Sequence, residues 1–345
     1  MKPLTDHISD FWTSLSTPLF ALAPMEDVTD TSFRELVLQT AGSNRLHLLF
    51  TEFTSVDGLC HAQGREAVAH RLLVNKSERV LLRSKGVKLI AQIWGNDPAK
   101  FYEATKLIST EYDFDGIDVN MGCPVSKVMK QNTCSALIDQ PVLALEIISA
   151  TIEGSTVPVS VKTRTGIRRH DTERWISQLA ASGVSAITLH ARTQKMMSLV
   201  PAEWDQISLA VNVRNQVKPS VKLLGNGDVL TYQQGLQRIA ETGADGVMIG
   251  RGIFMDPWFF ETNPHQHTVT EKIDLLEQHI RLYTNTWGPR RNYNILKHFF
   301  KIYVNGFAGA AAFRAALMET TDAGSAFEVI HQFRLLAADN RQPEV

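Results

Sequence analysis

The feature that most constrains this chain is an alternation kept up eight times. Short apolar runs stand at 19–23, 48–52, 89–93, 116–120, 158–162, 186–190, 221–225 and 246–250. Each is too short for a buried helix and is bounded by turn residues, so each reads as a strand buried on both faces. Between them lie amphipathic stretches with apolar residues at helical spacing, among them 32–40, 98–110, 142–152, 172–181 and 231–242. Strand and helix in strict alternation demand a parallel sheet, either open and doubly wound or closed into a barrel. The polar residues decide between the two. Nearly every run ends in one, namely Glu52, Gln92, Asn120, Lys162, His190 and Asn226, with Arg251 just past the last. An open sheet recruits a few strand ends at its switch point, whereas a barrel gathers all eight into one bowl. The pattern predicts an α/β fold, a (β/α)8 TIM barrel, and no Gly-x-Gly-x-x-Gly fingerprint follows the first strand to argue otherwise.

After residue 262 the strands stop. A linker-like Asn263-Pro264-His265-Gln266-His267 precedes stretches at 271–287, 293–304, 310–319 and 323–336 that read as helices. The expected division is a barrel domain over 1–262 and a small all-helical C-terminal domain over 263–345. Lysine plus arginine (35) nearly balance aspartate plus glutamate (36), so overall charge gives no support for nucleic-acid binding, which must come from local patches. Arg164, Arg168 and Arg169 make one such patch. Arg290, Arg291, Lys297 and Lys301 make another, with Lys297 and Lys301 a helical turn apart and so on one face. Three cysteines without a Cys-x-x-Cys pair argue against a disulfide framework or a structural zinc site, and no metal is expected. The first residues carry no long apolar run, and no stretch of eighteen apolar residues occurs, so a soluble cytoplasmic protein without membrane contact is the expectation.

The chemistry concentrates at the strand ends. In Asn120-Met121-Gly122-Cys123-Pro124 the proline removes a backbone donor and the glycine permits a bend, leaving a thiol at the end of the fourth strand. Asn120 before the bend and Lys127 and Lys130 after it make a polar, electropositive setting in which a thiol does chemistry. Cys60 has no such neighbours and reads as structural. Cys134 reads as a core residue on the same loop or the helix after it. Gly225-Asn226-Gly227-Asp228 and Gly250-Arg251-Gly252 close the seventh and eighth strands, where barrels commonly bind phosphate. Lys162 at the end of the fifth strand suits a Schiff base, neutralisation of an anion, or a pairing with Glu26 or Glu52. His190 stands on the same bowl.

Together these motifs resemble the tRNA-dihydrouridine synthases. The similarity runs through Ala23-Pro24-Met25-Glu26, Thr51-Glu52-Phe53, Ala91-Gln92-Ile93, the Asn120 to Pro124 block, Val161-Lys162-Thr163-Arg164, His190-Ala191-Arg192-Thr193 and the two glycine-flanked strand ends. The resemblance implies FMN at the top of the barrel, contacted by Pro24, Met25, Glu26, Gln92, Lys162, His190, Asn226, Gly227, Asp228, Gly250 and Arg251. It implies NADPH or NADH as reductant and Cys123 as proton donor. Asn120, Arg164, Arg192 and Lys297 would lie on the tRNA side, with the helical tail gripping tRNA. The sequence departs from the family at Thr133-Cys134-Ser135, where a glycine- and alanine-rich bend is common, which bears on the mobility of that loop. Two other readings stay open at this point. One is another phosphate-binding barrel enzyme acting on a small molecule, by flavin chemistry or through a Lys162 Schiff base; the other is a non-catalytic RNA-binding barrel.

Overall fold

The computed structural model describes residues 10–339. Eight parallel strands form the barrel: β1 Leu19–Leu22, β2 Leu48–Phe50, β3 Lys88–Trp94, β4 Gly116–Met121, β5 Val159–Arg164, β6 Ala186–His190, β7 Lys222–Asn226 and β8 Gly246–Ile249. A two-residue strand, Thr54–Ser55, extends the β2 edge along β3. The sheet closes because β1 pairs with β8 through Leu19↔Gly246 to Leu22↔Ile249, as well as with β2. One main helix follows each of the first seven strands: α1 Thr31–Thr40, α2 Lys76–Lys85, α3 Pro98–Glu111, α4 Pro141–Gly154, α5 Thr172–Ala181, α6 Asp205–Val217 and α7 Tyr232–Thr242. A short α8, Gly252–Met255, follows β8. The closed barrel is the one the strand-end polarity predicts.

Strand parity divides the side chains into two sets. Residues such as Ile117, Val119, Val161, Ile187, Leu223 and Val247 point outward into the core under the helices. The alternate residues point inward. At the N-terminal end they are apolar: Leu19, Ala21, Leu48, Phe50, Ile90, Ala186, Leu224 and Met248 pack together with Phe11 and Trp12, which plug the bottom. Toward the C-terminal end the same inward rows become polar, and this change of character creates the site.

Beyond the barrel come α9 Val269–Trp287, α10 Asn294–Lys297, α11 Phe300–Tyr303, α12 Ala310–Glu319 and α13 Ala323–Asp339. Thr268 and Glu271 form a reciprocal capping box at the start of α9. The single helix expected over 293–304 is two short ones, broken at His298–Phe299, so Lys297 and Lys301 do not share a regular helix face. The helical segment is fused to the barrel rather than tethered to it. Phe33 of α1 packs on His279 and Phe299 at ring-centroid distances of 5.5 and 5.0 Å. Leu276, Ile280, Tyr283 and Trp287 belong to the same buried cluster as Phe33, Leu36 and Val37. Asp30 serves both sides: Oδ1 caps α1 by accepting from Phe33 N (2.9 Å), and Oδ2 accepts from Trp287 Nε1 (2.7 Å) and Arg291 Nη1 (3.0 Å). Arg291, expected on a surface patch, is only 9% exposed and pairs with Asp27, Asp30 and Glu52. Among the described residues no helix is long and apolar enough to cross a membrane.

Candidate active site

The inward residues near the strand ends form one hydrogen-bonded layer because neighbouring strands are in register. Asp118 lies opposite Gln92 on β3 and Ser160 on β5, and Asn120 lies opposite Lys162. Asp118 accepts from Gln92 Nε2 (2.7 Å) and Ser160 Oγ (2.7 Å). Burial pushes its carboxyl up to about 6, against these hydrogen bonds and the Lys162 charge. Gln92 in turn accepts from Asn120 Nδ2 (3.0 Å). Asn120 Oδ1 then accepts from the backbone N–H groups of Gly122 (3.0 Å) and Cys123 (3.1 Å). A chain of fixed groups therefore runs from the barrel interior to the bend that presents Cys123.

Asn120 and Arg164, expected to face substrate, are both buried and engaged with the protein. Arg164 donates to the carbonyls of Gly122 (2.8 Å), Thr193 (3.0 Å) and Met197 (2.9 Å), tying the Cys123 bend to the loop after β6. Arg192 is buried too, donating to Val200 O (2.7 Å) and to His190 Nε2 (3.0 Å) and pairing with Asp228. Lys297 donates to Met318 O (2.7 Å), at the C-terminal end of α12.

Beside this layer, a cavity of about 200 Å³ opens between the ends of β1, β5, β6, β7 and β8. Pro24, Met25, Lys162, His190, Asn226, Gly227, Asp228, Gly250 and Arg251 line it, with Arg192, Ser198 and Met248. Gln92 lies in the polar layer instead, and Glu26 pairs with Arg71 of the loop after β2. A larger groove of about 990 Å³ lies between that loop and the helical segment, but neither Cys123 nor Lys162 borders it.

The electrostatics of the small cavity suit an anion. Burial brings Lys162 down to about 8, with Arg164 adding to the effect, and no hydrogen bond or ion pair engages its ammonium among the described residues. Burial, and then the charges of Lys162, Arg164, Arg192 and Arg251, hold His190 well below the ordinary histidine range, so it is neutral. Arg192 donates to its Nε2, which places the His190 proton on Nδ1. Asp228 accepts from Arg251 as well (2.6 Å). At Gly250 an added Cβ would meet nothing within 4 Å, so the backbone there is open to close approach, whereas Gly227, at φ 132°, packs against Ala202 with no room for a side chain.

Cys123 and Cys134 form a thiol pair. Ser135 folds the loop back by donating its Oγ to Cys123 O (2.6 Å), and Cys134 is buried beside Cys123 with φ 52°, a conformation glycine adopts more easily. The hydrogen bond from Cys134 lowers Cys123 to about 6 against the effect of burial, with help from the Val125 backbone, Arg164 and Lys162. Burial and the neighbouring Cys123 charge raise Cys134 well above its usual value. Cys134 thus acts on the thiol beside it, a role that the sequence, eleven residues away along the chain, gave no sign of. Removing this hydrogen bond raises Cys123, so a proton-donating thiol persists to higher pH. Cys134→Ala is therefore expected to move the alkaline limb of the pH–rate profile upward, while Cys134→Ser, which keeps a donor, moves it less. A limb that stays in place or moves down in the alanine variant contradicts the pairing.

Comparison with known proteins shows the family. The family model described as dihydrouridine synthase (Dus) matches residues 21–338. A probable tRNA-dihydrouridine synthase of Staphylococcus aureus (strain MRSA252) is 40% identical over 326 residues, 94% of this chain and 95% of that protein. One from Staphylococcus epidermidis (strain ATCC 12228 / FDA PCI 1200) is 39% identical over 326 residues, covering 94% and 96%. The probable tRNA-dihydrouridine synthase 2 of Bacillus subtilis (strain 168) is 39% identical over 313 residues, covering 90% and 92%. With a family model matching nearly the whole chain and relatives this similar end to end, the chain belongs to the dihydrouridine synthase family.

Proposed function

We propose that this enzyme reduces uridines in tRNA to 5,6-dihydrouridine at the mouth of the barrel, with FMN held against the Lys162 cavity and Cys123 delivering a proton to C5. One observation carries the reading: Lys162, without a hydrogen-bond or ion-pair partner among the described residues, converges with His190 and Arg251 on one cavity, while Cys123 follows the end of the strand paired beside Lys162. These groups fit FMN in kind. Arg251 and the open backbone at Gly250 suit a phosphate, and Lys162 suits an electron-rich heterocycle. Bound FMN, reduced by NADPH or NADH, supplies the hydride for C6.

The protein's own residues do the rest. Lys162 offsets negative charge arising in the cavity. Asn120, held by Gln92 and Asp118, fixes the backbone on which Cys123 sits, and Arg164 clamps the same bend from the other side. Cys123 gives its proton to C5 as charge builds there, with Cys134 setting how readily it does so. The uridine must leave its stack to reach this depth. We assign tRNA binding to the exposed cations around the mouth, Lys127, Lys130, Arg168, Arg169 and Lys195, together with the helical segment over 263–345. Arg291 is excluded from that surface by its burial, and we assign Lys297 to its margin.

Two measurements test the proposal. Reduced, flavin-loaded enzyme mixed with unmodified tRNA should reoxidise in a single turnover, and free uridine should leave it reduced; equal reoxidation by both favours a small-molecule substrate. Arg251→Ala should purify folded but with flavin content several-fold lower, since a phosphate-binding charge is lost. Full flavin occupancy in that variant removes Arg251 from the cofactor site.

A further inference from the structure

Where the barrel meets the helical segment, Glu261, His265, His267 and Glu271 draw together from the linker and the first turn of α9. Donor atoms of Glu261, His265 and His267 all lie within 4.8 Å of one another. Glu261 spans both rings, with Oε1 at 3.0 Å from His265 Nδ1 and Oε2 at 2.8 Å from His267 Nε2. Glu271 is held by its Oε2, which caps α9 by accepting from Thr268 N (2.7 Å), and its Oε1 faces His265 Nε2 at 3.1 Å.

A second observation makes this more than a cluster of polar groups. The His267 side chain is 10% exposed, sandwiched against the Trp258 indole at 3.7 Å between ring centroids and 12° between planes. Its Nδ1 is buried and has no hydrogen-bond partner among the described residues. It faces Glu271 Oε1 at 3.8 Å, too far for a hydrogen bond. A buried ring nitrogen left in this way calls for a ligand. On zinc, bonds of about 2.0–2.2 Å to nitrogen and oxygen separate donor atoms by roughly 3.3 Å in a tetrahedron, close to the spacings found here.

The geometry points to a binding site for a divalent transition ion of the zinc type, with Glu261, His265 and His267 as ligands and Glu271 alongside. Two imidazoles and a carboxylate are a zinc-class donor set. His267 can offer either ring nitrogen. Bound through Nδ1, its orphan atom is used directly; bound through Nε2, Nδ1–H is free to donate to Glu271, the carboxylate–histidine–metal arrangement common in metal sites.

The ion's role follows from its place. Gly42 N donates to Phe260 O (2.9 Å) and Arg45 Nε to Glu261 O (3.1 Å), from the loop that leads into the start of β2. The site therefore sits at the N-terminal end of the barrel, away from the catalytic mouth, where barrel residues serve stability rather than chemistry. Bound there, the ion clamps the linker and the first turn of α9 to the barrel. The expectation of no metal rested on cysteine spacing, which says nothing of a Glu-x-x-x-His-x-His run. The proposal does not depend on the flavin reading.

The test titrates ZnCl₂ into full-length, flavin-loaded, tag-free protein stripped with chelator, by isothermal calorimetry. One equivalent should bind, with a rise in melting temperature, and a His265→Gln/His267→Gln variant of unchanged flavin content should bind at least tenfold more weakly. Should that variant fail to fold, anomalous scattering from zinc-soaked crystals of the unaltered protein decides, with a peak expected among Glu261, His265 and His267. Absence of one-to-one binding, unchanged affinity in the variant, or a peak only at the Cys123–Cys134 pair overturns the site.

Discussion

Cys123→Ala is expected to retain its FMN and to be reduced by NADPH at an undiminished rate, yet to reduce tRNA roughly a hundred- to ten-thousandfold more slowly. That is the usual contribution of a positioned general acid. Only the proton delivery is removed, because the bend is fixed by backbone N–H groups and by Asn120 and Arg164, none of which needs the sulfur. Rapid-mixing measurements that follow flavin reduction and reoxidation separately check this. Loss of both half-reactions would mean the substitution has damaged the site as a whole, and loss of neither would remove Cys123 from the chemistry. The companion Cys134 variants separate the two thiols, since they shift the pH dependence rather than abolish turnover.

Arg291→Ala is expected to cost about 3–5 kcal/mol of stability, the usual penalty for removing one partner of a buried charge group. The arginine is the cation shared by Asp27, Asp30 and Glu52, and two of those carboxylates are almost wholly buried. Burial already raises Glu52 to about 7 in spite of Arg291, so the arginine is what keeps it partly ionised. Removing it raises Glu52 further. The variant then binds the Glu52 proton more strongly in the folded state, and its stability deficit is largest at alkaline pH and shrinks as pH falls toward 7. Denaturant melts of both proteins at several pH values check the size and the slope. A deficit under 1 kcal/mol, or one that grows on acidification, contradicts this account of the joint. The same contacts mean that cutting the chain near residue 262 would bare the apolar face of α1, so point variants are the sounder probe of the helical segment.

What the sequence made legible follows period and position. Strands of three to seven residues, apolar on both faces and ended by a polar side chain, mark themselves, and so the barrel, the Gly122-Cys123-Pro124 bend and the glycine-flanked ends of β7 and β8 could be placed in advance. Asp118 was passed over because it lies two residues inside its strand. Only the pairing with Gln92 and Ser160 shows that it supports the bend, and register between strands is not written in either strand alone. The family resemblance places Arg164 and Arg192 on the substrate side. Their guanidinium groups instead fold back onto carbonyls and Asp228, a choice made by loops whose path no periodicity describes. Arg291 carried the same ambiguity: a basic residue in a polar stretch looks solvated until the carboxylates of α1 and β2 are brought to it by the fold. The break at His298–Phe299 has no proline or glycine to announce it. Both sides remain apolar because Leu296, Phe299 and Phe300 all reach the shared core, and packing there overrides helix continuity.

The central claim is that this barrel reduces uridine in tRNA and that Cys123 supplies the proton. Mass spectrometry of tRNA from cells lacking the gene, and from the same cells carrying either the unaltered gene or Cys123→Ala, tests it most directly. Dihydrouridine should be missing at one or more positions in the deletion strain, return with the unaltered gene, and stay missing with the alanine variant present at equal abundance. Dihydrouridine unchanged at every position in a strain with no second synthase, or fully restored by Cys123→Ala, would contradict the account.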